Sequence, residues 1–118
     1  MNVSNKIEAV TFDVGGTLIE PWPSVGHVYA EMAARHGVAD PDPDSLNRQF
    51  AFAWRSKSNF DYSESAWLEL VKQTFGRFGA SLPERFFPEL YGRFAEPDTW
   101  RVYEDVRPAL DSLRRQKV

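Results

Sequence analysis

Asp13-Val14-Gly15-Gly16-Thr17 is the segment whose residue types and spacing could do chemistry. The carboxylate follows the apolar, partly β-branched run Ile7-Glu8-Ala9-Val10-Thr11-Phe12. That places it at the carboxyl end of a predicted strand, where open α/β sheets bind their ligands. Two glycines let the following turn approach an anion closely, and successive N–H groups of such a turn can form a nest for phosphate oxygens. The plainer reading is that Asp13 caps a turn and the glycines only reverse the chain; strand, Asp and Gly-Gly-Thr in combination favour the chemical one.

The rest of the composition narrows the field. The chain has 118 residues, with 14 Lys plus Arg against 17 Asp plus Glu and a net charge of -3. Nothing in that balance draws it to nucleic acid or to an anionic membrane surface. With no cysteine, disulfides, thiolate metal sites and cysteine nucleophiles are excluded together. The N-terminus lacks the charged-then-apolar order of a signal peptide, and no apolar run approaches the roughly eighteen residues of a membrane span. A cytoplasmic protein is expected.

The Asp13 strand has apolar residues that do not alternate cleanly, as in a strand covered on both faces of a parallel sheet. Helices are predicted to follow. Ser24 caps a first helix with Val25, Val28, Tyr29 and Met32 on one stripe, and Gly37 ends it. Asp42 or Asp44 caps a second, carrying Leu46, Phe50, Ala53 and Trp54. Asn59 to Tyr62 forms a break, and Ser63 opens a third helix with Trp67, Val71, Phe75 and Phe78, closed by Gly79. Ser81-Leu82-Pro83-Glu84 has a capping-box pattern and leads into Phe87, Leu90, Tyr91 and Phe94. Beyond Pro97, an extended stretch through Trp100 and Tyr103 precedes a fifth helix from about Asp105, with Val106, Leu110 and Leu113. The cluster Arg114, Arg115 and Lys117 suits a helix C-terminus. Sixteen of the seventeen aromatics lie between Trp22 and Tyr103, and helical spacing assigns Trp54, Trp67, Phe75, Phe87 and Phe94 to a bundle core. His27 and His36 read as ordinary helix residues.

Val10-Thr11-Phe12-Asp13-Val14-Gly15-Gly16-Thr17-Leu18 resembles the first motif of the haloacid dehalogenase (HAD) superfamily of hydrolases, an apolar strand followed by Asp-x-Asp-x-Thr. In one subfamily a helical cap is inserted directly after that strand, and a Trp-x-x-Tyr stretch leads back to the core. Trp100-Arg101-Val102-Tyr103 followed by Asp105-Val106 looks like that return. The resemblance implies an α/β, Rossmannoid fold by family, with this chain mostly helical: one core strand, a four-helix cap and a return helix. Residues 1–20 would hold the first core strand and nucleophile loop, 21–97 the cap, and 98–118 the return segment and first helix back in the core.

By the same resemblance Asp13 is the catalytic nucleophile, forming an aspartyl-phosphate on a small phosphorylated metabolite, and also a Mg²⁺ ligand. The Gly15 carbonyl is a second metal ligand, the amides near Val14 and Gly15 hold phosphate oxygens, and Gly16 and Thr17 shape the turn. In family phosphatases the position of Gly15 usually carries a second Asp, which protonates the leaving alkoxide; glycine has no proton to give. The family's phosphate-binding Ser or Thr, its Lys and its further acidic ligands have no match in these residues, so an incomplete core is expected, impaired alone and needing the missing part to fold stably. In the cap, Trp22, Arg55 and Tyr62 are candidate substrate contacts.

Two other readings remain open at this level. Strand-Asp-x-Gly-Gly-Thr also resembles the first phosphate motif of sugar kinases of the actin-like ATPase fold, which requires a β-hairpin immediately after the turn. A non-catalytic helical interaction domain, with its aromatics as anchors, is the other.

Overall fold

Ser24, Asp42 and Ser63 each accept a hydrogen bond from a backbone N–H of the turn that follows, and each starts a helix. The computed structural model describes residues 6–118. The elements run β1 (Ile19–Pro21), α1 (Val25–Arg35), α2 (Pro43–Ser56), α3 (Glu64–Phe75), α4 (Phe86–Arg93), β2 (Trp100–Val102) and α5 (Val106–Arg115), with 3₁₀ turns at Gly76–Ser81 and Pro97–Thr99. They divide into two compact units, one of Pro21–Trp100 and one of the described residues up to Glu20 with Arg101–Val118.

The helical unit closes around one core. Gly37, at φ +89°, ends α1 by letting the amides of Gly37 and Val38 return to the carbonyls of Ala34 and Ala33. Asp42 is the cap of α2, and Pro43 opens it where a missing N–H costs nothing. Val28, Tyr29, Met32 and Ala33 of α1 meet Leu46 of α2, Val71 and Phe75 of α3, and Phe86, Phe87 and Leu90 of α4. Phe86 and Leu90 are fully buried, each worth about 1.5–3 kcal/mol of burial. A second aromatic group holds the turn before α3: Trp54 stacks on Trp67 at 5.6 Å, Phe60 meets both edge-on, and Lys57 Nζ sits 3.6 Å from the Trp54 ring centroid.

Thr99 and Trp100 close the end of α4. The Thr99 hydroxyl donates to the Arg93 carbonyl and Trp100 Nε1 donates to the Phe94 carbonyl, both at 2.7 Å. Arg93 in turn donates to Glu96, Asp98 and Thr99.

Three expectations are corrected here. The third helix ends at Phe75 rather than near Gly79, because Gly76 takes φ +56° and caps it; Phe78 falls on the 3₁₀ turn and is 49% exposed. Ser81 caps no helix; its hydroxyl donates to the Phe78 carbonyl, and α4 begins later with no side-chain cap. The expected strand Ile7 to Val14 joins no ladder among the described residues. Its apolar side chains are exposed, Ile7 at 66% and Val14 at 53%. A strand takes its hydrogen bonds from neighbours, and no described segment supplies them.

The ladder that does form is short. β1 and β2 pair antiparallel, bracketed by the Trp22 amide on the Thr99 carbonyl at 2.7 Å and the Tyr103 amide on the Leu18 carbonyl at 3.1 Å. Arg101 donates to Glu20 at 2.6 Å along it. In α5 only Val106 is buried, and Leu110 is 40% exposed.

Candidate active site

Residues 13–19 form a tight loop built on one carbonyl. Val14 O accepts from the amides of Thr17, Leu18 and Ile19 at 3.3, 2.9 and 3.2 Å, and the Gly16 amide donates to Ile19 O at 2.9 Å. Gly16 makes this possible with φ +77°, a conformation other L-residues resist. Gly15 has no such requirement, and a methyl group built there would meet nothing within 4 Å.

The loop leaves the amides of Val14 and Gly15 without a hydrogen bond among the described residues. Asp13 stands immediately before them, exposed, with the Thr17 hydroxyl donating to its Oδ2 at 3.4 Å, the long limit of such a bond. The structure thus brings Asp13, Val14, Gly15, Gly16 and Thr17 into one loop where a carboxylate adjoins two available N–H donors. An anion held by those amides would lie against a potential nucleophile.

The divalent-cation ligands expected from the sequence are Asp13 and the Gly15 carbonyl. Among the described residues no group of three or more His, Asp or Glu side chains comes together. Two oxygens suit a hard cation but do not complete its octahedral shell.

The other candidates belong to the helical unit. Trp22 and Tyr62 are exposed at 42% and 66%; Tyr62 takes φ +62° just before α3 and its ring meets Phe60 at 4.9 Å. Arg55 is exposed in the last turn of α2. His36 pairs with Glu89 at 2.8 Å and meets Phe86 edge-on, and His27 Nδ1 lies 2.6 Å from the Ser24 hydroxyl, so both are absorbed locally. Sequence reasoning missed Arg93, whose partners Glu96, Asp98 and Thr99 follow the helix end in no recognisable motif, and Asn47, whose partners Gly26 and Ser24 are distant in the chain.

No hairpin follows Thr17. The partner of β1 is β2, on the far side of the helical unit in the sequence, which removes the feature that the kinase reading required. A family model described as a haloacid dehalogenase-like hydrolase matches residues 7–118. The chain is similar to "Haloacid dehalogenase-like hydrolase domain-containing protein 3" of Bos taurus, 30% identical, with 94% of this chain and 49% of the relative covered. The protein of the same name from Homo sapiens is 31% identical, with 92% and 48% covered, and that from Danio rerio 30% identical, with 87% and 47% covered. The chain spans about half the length of the curated relatives it matches.

Proposed function

The chain belongs to the haloacid dehalogenase-like hydrolase family, and from that premise we propose that Asp13 is the nucleophile of an enzyme acting on a small phosphorylated metabolite. One observation carries this reading: Asp13 heads a loop whose next two amides are available to an anion while Thr17 donates to its carboxylate. Pro21–Trp100 would be the helical cap.

In this reading an Asp13 carboxylate oxygen attacks phosphorus, the ester P–O bond breaks, and its electron pair leaves with the alkoxide. Water then hydrolyses the aspartyl-phosphate, restoring the carboxylate and releasing inorganic phosphate. The amides of Val14 and Gly15 hold the non-bridging oxygens, and Gly16 keeps the loop in the conformation that aims them. Bound Mg²⁺, held from this chain by Asp13 and the Gly15 carbonyl, would neutralise phosphate charge. Gly15 offers the departing alkoxide no proton, so that proton comes from water, and the assistance forgone is typically about 10²–10⁴-fold in rate.

A full set of groups would include a phosphate-binding hydroxyl, a stabilising cation and further acidic ligands, and no acidic cluster surrounds Asp13 among the described residues. The proposal is therefore that the 118 residues alone turn over a generic phosphate ester weakly or not at all. No helix among the described residues is long and apolar enough to cross a membrane, and the proposal takes the enzyme to be cytoplasmic.

The test is the acyl-phosphate mimic beryllium trifluoride added with Mg²⁺ and followed by fluorine NMR. A protein-bound resonance that Asp13→Asn abolishes is expected. A protein-bound resonance that survives Asp13→Asn overturns Asp13 as the acceptor.

A further inference from the structure

The helical unit contains a cleft of about 420 Å³, within the roughly 300–1,000 Å³ typical of small-molecule sites. Val25, Phe50, Trp67, Val71 and Phe94 form much of its wall, and no charged side chain lines it. Trp100 also borders it, but its indole N–H is committed to the Phe94 carbonyl.

Two phenols interrupt this apolar wall, Tyr91, which is 40% exposed, and Tyr29, which is buried. Its residue surface is 3% exposed, yet its hydroxyl makes no hydrogen bond among the described residues. Arg93 Nε is the one completely enclosed side-chain nitrogen or oxygen without a partner among them. The Tyr29 hydroxyl is not sealed in that way, and the space that Tyr29 borders is the cleft. The ring cannot turn the hydroxyl elsewhere at little cost: it stacks on Phe75 at 5.6 Å and meets Phe50 and Phe94 edge-on, both at 6.0 Å. Burial also pushes the phenol well above its ordinary pKa, so the group remains a neutral donor.

Buried polar groups in native proteins are nearly always paired. One buried, fixed donor in a largely apolar, adequately sized space is an arrangement that orients a small molecule by a single polar contact. With no cation in the wall, nothing there compensates the desolvation of a carboxylate or phosphate.

We propose that this cleft binds an uncharged, largely apolar small molecule whose one hydrogen-bonding oxygen pairs with the Tyr29 hydroxyl. The site lies within the helical unit and does not depend on the chemistry at Asp13, so either proposal can fail without the other.

The probes are acetophenone, its near-isostere cumene, which lacks the carbonyl, and the anion benzoate. Each is titrated into the full chain and followed through the side-chain NMR resonances of Tyr29, Val25 and Val71. Saturable shifts with acetophenone and cumene are expected, and none with benzoate. Tyr29→Phe should weaken acetophenone about two- to tenfold, the worth of one hydrogen bond, while leaving cumene unchanged. Ala95→Trp, at an exposed position on the wall, should block both without touching the core. The inference is overturned by shifts that do not saturate, by benzoate binding as well as acetophenone, or by acetophenone affinity that neither substitution alters.

Discussion

The backbone amide of Gly26 donates to Oδ1 of Asn47 at 2.6 Å, fastening the first turn of α1 to α2. The same Asn47 donates through Nδ2 to the Ser24 hydroxyl at 2.9 Å, and that hydroxyl accepts from the His27 amide at 3.1 Å. One side chain therefore satisfies an orphan donor of α1 and braces the residue that caps another. The approach is close enough that only glycine fits: a methyl group on Gly26 would overlap the Pro43 carbonyl oxygen and lie 2.7 Å from Asn47 Cγ.

Gly26→Ala should therefore destabilise the helical unit through overpacking, by about 1–3 kcal/mol or somewhat more. Asn47→Ala should cost about 1–3 kcal/mol because it strands a partly buried amide. Asn47→Asp should cost less, since it keeps the acceptor and places negative charge at a helix N-terminus. Urea unfolding at constant m-value measures all three. An Asn47→Asp variant as unstable as Asn47→Ala would show that the Gly26 contact is not what matters.

Asp98 gives a pH dependence with a defined sign. Its carboxylate accepts from Arg93 Nη1 at 2.7 Å and Nη2 at 3.2 Å, and that hydrogen bonding, with the guanidinium charge, holds its pKa below the ordinary 3.8. A depressed acid contributes stability that is complete above its unfolded pKa and is lost as pH falls through the folded value. Asp98→Asn should thus melt lower than the unmodified chain at pH 7, with the gap closing below about pH 3.8. Asp42 and Asp61 are also depressed, each chiefly by a serine hydroxyl, so acid lowers stability in both proteins and the closing gap is the specific readout. Parallel melting curves down to pH 2 would exclude the Arg93 pairing as a source of stability.

Much of the helical unit is legible because its signals are local. Ser24, Asp42, Ser63 and Gly37 act within one turn of where they stand, and the apolar stripe of α1 needs only a period to be seen. Phe78 and Phe86 show the limit: Gly76 ends α3 and leaves Phe78 on the 3₁₀ turn, and Phe86 is buried because α4 begins there, with no side-chain cap to announce it. Thr99 and Arg93 carry no pattern at all, because a charged residue near a helix end usually faces water. The Asp13 loop is legible through Gly-Gly, but the strand before it is not formed from its own residues. Strand character in Ile7 to Val14 is a preference for a partner rather than a conformation the segment holds by itself.

The two loop glycines should respond differently to substitution. Gly16 sits at φ +77°, where a β-carbon costs roughly 1–2 kcal/mol, and its amide closes the loop on Ile19. Gly16→Ala should accelerate hydrogen exchange of the Leu18 and Ile19 amides, both bonded to the Val14 carbonyl, by about five- to thirtyfold. Gly15 has open space around the site of a β-carbon and no positive φ, so Gly15→Asp should leave those exchange rates within about twofold of the unmodified chain. It would also install, two residues from Asp13, the carboxyl group that the proposed leaving step lacks. Any Mg²⁺-dependent hydrolysis of p-nitrophenyl phosphate should then rise, and the rise should disappear in Gly15→Asp combined with Asp13→Asn. Faster exchange in Gly15→Asp, matching Gly16→Ala, would mean that the loop needs both glycines for its shape and that Gly15 is there for conformation rather than for the chemistry it omits.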